Sequence, residues 1–441
     1  MHILLEDNCF THNTAPTFQR VDVAHLFSIA DKTISQLCEE NEHLLIFPYS
    51  IKNSADKIEK ANIINIQCTS HPDNVRVCTG NIMGFFGIGN LQVKIKSRFD
   101  NDDNDFLLHY MLQRTLTPNI FNFKHNSEDD SVFDFAMLMF PFILKRALRQ
   151  GVYREYHDFK HNDSNLNGAI DFNRQITQNM PFTGKFAYTT RENSHNNSMT
   201  QLIRHTIELI KTTKFGSAVL SSDRECAENV QIVRACTTSY RKSERESIIS
   251  KNLRHKCHPY YTEYQALQTI CLQILRKEEI KYGNTDNEIY GILFDGAWLW
   301  EEYVNTILRE YGFKHPENKN KKGCIYLFDD NTGDRYPDFY KEGIVLDAKY
   351  KRIGDYNSVA KVDRDDIHQI ITYMTALKAH KGGFISPLNH QQVQPPTKTL
   401  KGSSATLSIY GIEICKKVNT YADFCQKMKE NEKKFIASLE L

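Results

Sequence analysis

The chain has 441 residues, enough for roughly two or three domains. Hydrophobic residues make up 40% of it and aromatics 11%, which supplies packed cores and excludes wholesale disorder. Lys and Arg number 55 against 54 Asp and Glu, so bulk positive charge cannot drive nucleic-acid binding, and any such contact must come from a local patch.

The start, MHILLEDNCFTHN, has no basic segment and no small-residue cleavage site, so it does not read as a signal peptide. Eleven cysteines, an odd number with no CxxC pair, point to reduced thiols in the cytoplasm. Residues 1–125 read as a β-rich domain. HLLIFPYSI, NIINIQCTS and VRVCTG have strand-like spacing, and Gly84, Gly87 and Gly89 are expected to mark turns. Leu91, Val93 and Ile95 alternate with Gln92, Lys94 and Lys96, the pattern of a half-buried strand. These glycines do not make a phosphate-binding loop, because no Lys-Ser/Thr follows them.

Residues 126–280 read as a helical middle. Val132 to Arg149 is a helix expected to kink or break at Pro141 and to end near Gly151. Its apolar run Phe135–Leu144 is far short of the ~20 residues that cross a bilayer, so no membrane partner is expected. Ser198–Thr212 and Tyr264–Arg276 are amphipathic helices. His255, Cys257 and His258 hint at zinc, but four ligands at set spacings are needed and no second pair is present. His195 and His205 read as packed or solvated histidines.

Residues 281–441 read as a mixed α/β domain, making the whole an α+β multidomain chain. Asp295–Tyr311 is a helix closed by Gly312, and Cys324–Phe328 a strand. Arg335–Lys351 is a hairpin turning at Lys341-Glu342-Gly343, and Asp363–His380 a helix with an acidic start. Ser386–Ser404 reads as a polar loop, followed by a strand and a charged terminal helix.

The hairpin carries the chemistry. It contains P-D-x8-D-x-K, with Asp338, Asp347 and Lys349. Residues two apart on a strand share a face, so Asp347 and Lys349 project together, with Asp338 on the paired strand. Two carboxylates can converge with a backbone carbonyl on Mg2+, and the neighbouring ammonium can orient a water or steady developing phosphorane charge. Glu301 and Glu302 on the preceding helix offer a further carboxylate. Gln369 and Tyr373 share a face of the following helix, where Gln369 can position water or meet a phosphate. The plainer alternative is a surface ion-pair ladder. Against it, Asp347 emerges from the apolar run Ile344-Val345-Leu346. Lys319, Lys321 and Lys322, and Lys351 and Arg352 with Tyr350 interleaved, are candidate DNA contacts.

These residues resemble a family. YPDF and VLDAKYK are similar to the motifs of the PD-(D/E)xK nuclease superfamily. LWEEYV (Leu299–Val304), DIHQIITYM (Asp366–Met374), LNGAID (Leu166–Asp171) and ALRQGVYREY (Ala147–Tyr156) resemble segments of the McrC family, the nuclease subunit of McrBC-type restriction systems. Ser97–Arg114 is similar to the McrC-like subunit of LlaJI-type systems. Trp300 stands where that family has Phe.

The resemblance implies a PD-(D/E)xK nuclease core at the C-terminus, with Asp338, Asp347 and Glu301 as ligands for Mg2+, which Mn2+ can replace. It implies Lys349 as the catalytic lysine, with Gln369 and Tyr373 completing the site. It further implies an AAA+ GTPase or ATPase partner of the McrB type, met by the N-terminal domain, which feeds DNA to the nuclease and reads the modified base. Pairing of two nuclease domains would make the cut double-stranded. A standalone nuclease and a non-catalytic activator of an AAA+ ring are the competing readings; the intact Asp338, Asp347 and Lys349 argue against the second.

Overall fold

The computed structural model describes residues 2–9, 15–41, 44–48, 60–88, 91–100, 105–116, 131–213, 216–254, 258–276, 289–316, 323–416 and 418–440. Gly89, His255, Lys256, Cys257, Lys319, Lys321 and Lys322 lie outside these residues. By its internal contacts the chain forms two units, one of residues 1–139 and 276–441, the other of residues 140–275.

The first part runs β1 (His2–Glu6), β2 (Thr17–Gln19), α1 (Ile34–Glu40), β3 (Leu44–Phe47), β4 (Ile64–Cys68), β5 (Asn74–Thr79), β6 (Ile82–Ile88), β7 (Leu91–Lys96) and α2 (Phe106–Leu116). Strands β2, β5 and β4 form a small antiparallel sheet. The alternation in β7 is realised, with Leu91, Val93 and Ile95 buried against Ile3, Leu5 and Phe86.

Gly84 and Gly87 do not make turns; both lie inside β6. At Gly84 φ is +130°, and a Cβ there would run into the carbonyl oxygen of Ile292. At Gly87 a Cβ would meet the Tyr290 ring. A glycine in a strand often marks close approach of a second backbone rather than a turn, and only the neighbouring strand reveals which.

Helix α3 (Ser131–Arg149) runs through Pro141 without interruption. The second unit then adds β8 (Glu155–Asp163), β9 (Ala169–Ile170), α4 (Phe172–Asn179), β10 (Phe186–Ser194), α5 (Ser198–Thr212), α6 (Gly216–Leu220), α7 (Arg224–Cys236), α8 (Arg245–Lys251) and α9 (Tyr264–Leu275). Helix α5 starts on a capping box in which Asn197 accepts from the Met199 and Thr200 amides, and its apolar face packs on α9. His205 on that helix is buried, its ring against Tyr240. The middle is thus not purely helical. Strands β8 and β10 pair over nine residues. Both faces of β8 are largely open to water, so no period-2 apolar signature announces it.

The chain returns with β11 (Ile289–Asp295), α10 (Gly296–Leu308), β12 (Ile325–Tyr326), β13 (Asp334–Arg335), β14 (Phe339–Lys341), β15 (Ile344–Ala348), α11 (Arg364–Ala376), β16 (Lys381–Leu388), β17 (Thr397–Thr399), β18 (Thr406–Glu413) and α12 (Tyr421–Ser438). Strand β11 inserts between β6 and β3, giving the order β1-β7-β6-β11-β3, so the N-terminal sheet is completed by a strand from beyond the middle unit. A second five-stranded sheet has the order β14-β15-β16-β18-β17. The expected loop at Ser386–Ser404 begins inside β16, where Ser386 is buried. The expected strand at Cys324–Phe328 is reduced to β12. Among the described residues no helix is long and apolar enough to cross a membrane, and the cysteines are free thiols.

Candidate active site

Strands β14 and β15 form a tight hairpin. Lys341 faces Ile344 in register, and Gly343 at φ +75° makes the turn. Strand β15 lies between β14 and β16, so Val345 and Leu346 are fully buried. Asp347 continues the strand and is only 2% exposed.

A carboxylate in that position requires compensation. Lys349 Nζ lies 2.8 Å from Asp347 Oδ2 and 3.1 Å from Asp366 Oδ1. Asp366 stands in the first turn of α11, where the helix N-terminus favours negative charge. Its other oxygen, Oδ2, takes Lys351 Nζ at 2.9 Å. Across the hairpin, the Ala348 amide donates to Asp338 Oδ2 at 2.7 Å, which draws Asp338 toward the end of β15.

Burial pushes the Asp338 carboxyl well above its ordinary range, and the charges of Glu301 and Asp347 push it further. Burial also raises Asp347, against the pull of Lys349. Burial alone would lower Lys349, but Asp347, Asp366 and Asp338 outweigh it and hold the ammonium charged. Asp366 is drawn the other way: its desolvation is outweighed by Lys351 and Lys349, and its carboxyl falls below the usual range.

Helix α10 supplies Glu301. It is capped by Asp295, which accepts from the Trp298 amide at 2.8 Å. Trp300 is fully buried, and its indole donates to the Ile385 carbonyl at 3.2 Å, tying α10 to β16 beside the hairpin. On α11, Gln369 Nε2 donates to Tyr373 Oη at 2.9 Å. Tyr373 is buried, and after burial itself the charges of Asp347 and Asp338 are among the causes raising its hydroxyl.

The structure therefore sets Asp338 within electrostatic reach of Glu301, Asp347 and Tyr373, with Lys349 on Asp347 and Gln369 on Tyr373. Of the candidate DNA contacts, Lys351 is exposed but engaged by Asp366. Arg352 donates to the Arg98 carbonyl at 3.3 Å. Tyr350 is no stacking platform for bases; it is 3% exposed, with its ring against Phe99.

Two residues escaped assignment from sequence. Asp366 sits in the matched helix segment, three residues before Gln369 and on the same face, a spacing that marks it as a candidate. His315 has no local signature. A bridge between Lys314 and Tyr340 sets it beside the hairpin, where its Nδ1–H donates to the Asp338 carbonyl at 2.7 Å and its ring stacks on Phe339.

The donor set available to a metal is the carboxylates of Asp338, Asp347 and Glu301, all hard oxygens that suit Mg2+ or Mn2+ over softer ions. Their mutual repulsion is the charge pattern that a divalent cation relieves. Among the described residues no three His, Cys, Asp or Glu side chains are already gathered as a metal-binding group.

No curated protein matches the chain. Of solved structures, one similar chain belongs to a refined half-complex from a tetradecameric assembly of Thermococcus gammatolerans McrB AAA+ hexamers with bound McrC; it is 13% identical, with all of both chains covered and a TM-score of 0.49. Another belongs to the cryo-EM structure of the Thermococcus gammatolerans McrBC complex, at 14% identity, with 72% of this chain and 90% of that one covered and a TM-score of 0.29. The family model described as McrBC 5-methylcytosine restriction system component matches residues 77–387, a stretch that takes in β6, the whole middle unit, the carboxylate–lysine hairpin and α11. Matched over well more than half its length, the chain belongs to the family of McrBC 5-methylcytosine restriction system components.

Proposed function

We propose that this chain is the McrC-type nuclease subunit of its restriction system, a Mg2+-dependent endodeoxyribonuclease with a PD-(D/E)xK core in residues 281–441. The observation that carries the reading is the buried Asp347–Lys349 pair facing Asp338 across a hairpin, with Glu301 and Tyr373 contributing from helices on either side in sequence.

Asp338, Asp347 and Glu301 would hold the metal. Mg2+, when bound, supplies Lewis-acid polarisation of the phosphoryl oxygen and charge neutralisation. The remaining work falls to this chain. Lys349, whose ammonium is held by Asp347 and Asp366, serves as a hydrogen-bond donor and a fixed charge for the developing phosphorane. Gln369, held by Tyr373, orients the attacking water or a phosphate oxygen. A water oxygen adds to phosphorus as the water gives up a proton, one P–O ester bond breaks, and in the net reaction the leaving alkoxide takes up that proton. Lys351 and Arg352 border the site as phosphate contacts, with Lys319, Lys321 and Lys322 as further candidates. The sequence has no GxxxxGK[ST] loop, so nucleotide hydrolysis would come from an AAA+ partner, with the β-rich N-terminal region (residues 1–125) as the contacting part.

The test is cleavage of 5-methylcytosine-containing DNA by the complex purified with its NTPase partner. Cutting is expected with Mg2+ and nucleotide, and not with EDTA. Asp347→Ala should lower cutting by roughly 10³-fold while the partner's NTPase stimulation persists. Wild-type cutting by Asp347→Ala would overturn the assignment.

A further inference from the structure

Strand β15 ends at Ala348, and the last ladder position pairs it with Ile385. Past that point the regular ladder stops. Lys349 still donates its amide to the Ile385 carbonyl at 2.8 Å, and the Lys351 amide then turns back onto the Lys349 carbonyl at 2.8 Å. This closes a three-residue turn with Tyr350 at its apex. It is this turn that sends the ammonium groups of Lys349 and Lys351 to the two oxygens of one carboxylate, Asp366.

Three consecutive residues just beyond β7 of the N-terminal sheet grip that apex. Ser97 Oγ lies 2.6 Å from Tyr350 Oη. The Arg98 guanidinium sits 4.5 Å from the Tyr350 ring centre and donates from Nη2 to the Tyr350 carbonyl. The Phe99 ring meets the Tyr350 ring edge-on at 5.0 Å. Arg98 is itself fixed. Its Nη1 donates to Asp7 Oδ2 at 2.7 Å and to Asn81 Oδ1 at 3.1 Å, and its amide donates to Asp7 Oδ1 at 2.5 Å. The side chains of Arg98 and Asp7 are 8% and 0% exposed. A buried ion pair of this kind adds little net stability over an apolar pair of the same volume; what it supplies is fixed geometry. The planar fork of arginine can reach Asp7, Asn81 and the Tyr350 carbonyl at once, and a lysine cannot.

We propose that Arg98 is a positioning residue of the carboxylate–lysine site, holding the turn at Tyr350 so that Lys349 and Lys351 meet Asp366. The proposal rests on the reading of Lys349 as the working ammonium. It makes the N-terminal sheet part of the frame of the site.

The experiment compares wild type with Arg98→Lys, which keeps the charge opposite Asp7 and loses the fork. Two readouts are taken well below the melting temperature. The first is competitive amine acetylation followed by mass spectrometry: Lys349 and Lys351 should become several-fold more reactive, while Lys160 and Lys434 should not change. The second is DNA cleavage by the complex: kcat should fall by roughly 10–100-fold with KM for DNA nearly constant, as for a misplaced group that does not bind substrate. A merely structural arginine would lower the melting temperature and move neither readout, and that result overturns the proposal. Should Arg98→Lys fail to fold, Asp7→Asn carries the same two measurements. The labelling does not depend on activity. A labelling change in a chain whose wild type never cuts DNA would sink the nuclease reading and leave the clasp standing.

Discussion

Two hairpins of this protein handle water in opposite ways. Strands β14 and β15 sink a charged pair: Asp347 is 2% exposed and Lys349 closes on it at 2.8 Å. Strands β8 and β10, with α4 between them in sequence, leave apolar groups outside: Tyr156 and Phe159 on β8, Phe172 and Ile176 one turn apart on α4, then Met180 and Phe182. The asymmetry between the two is energetic. An isolated charge in an apolar interior costs several kcal/mol, so the Lys349 ammonium beside Asp347 is committed to compensating it. An exposed apolar side chain forgoes stabilisation but creates no unpaired group, so nothing around it need be arranged. The first hairpin should therefore be intolerant of change, and the second tolerant.

The sharpest way to break that contrast is Lys349→Ala. It leaves the Asp347 carboxylate buried without its ammonium. Cleavage should drop by roughly 10³-fold, and stability by about 3–5 kcal/mol, the usual cost of removing one partner from a buried pair. Thermal melts should show Mg2+ restoring part of that stability in the variant and less in wild type, because a cation can take the ammonium's place. A Lys349→Ala chain that melts and cuts like wild type would show that the pair is ornamental.

A smaller effect concerns the middle unit, where the buried group is neutral. His205 is 1% exposed, and among the described residues neither ring nitrogen has a hydrogen-bond partner. Burial lowers its pKa from 6.5, with Arg245 and Arg204 lowering it further and Glu244 opposing. Below pH 6.5 the unfolded chain takes up the proton that the folded chain refuses, so stability must fall as pH falls. His205→Leu should flatten the acid side of the stability profile; an unchanged slope would mean that His205 charges freely in the fold.

The smallest effect is expected at the exposed face. Phe172→Ser combined with Ile176→Ser should change unfolding free energy by no more than about 0.5 kcal/mol per site, measured by denaturant titration. A loss on the scale of Lys349→Ala would erase the difference between the hairpins.

Much of the architecture is legible locally. The alternation of Leu91, Val93 and Ile95, the Asp363 cap with Asp365 and Asp366 behind it, and the turn at Gly343 each rest on interactions within a few residues. The P-D-x8-D-x-K spacing likewise places Asp338 and Asp347 near one another as soon as the hairpin closes. Tyr350 was misread for the complementary reason. Between two basic residues it has the look of a phosphate-facing aromatic, yet its environment is Ser97, Arg98 and Phe99, some 250 positions earlier. Gly84 and Gly87 look like turn residues until β11 arrives against them from beyond the middle unit. Strands β8 and β10 have no buried face to print a period on the sequence, so pairing alone reveals them.

By itself, then, the sequence determined part of the element list and the chemical inventory: the helices α5, α9, α10 and α11, the strand β7, and a hairpin shared by two carboxylates and a lysine. Backbone periodicity and turn preference act over a handful of residues, and so can be read without a partner. The tertiary structure alone decided that Asp366 takes both Lys349 and Lys351, that His315 backs Asp338, and that Asp7 and Arg98 hold the turn at Tyr350. Charge compensation and desolvation depend on what lies within a few ångströms in space, and the residues that supply them are separated along the chain by anything from two positions to more than two hundred.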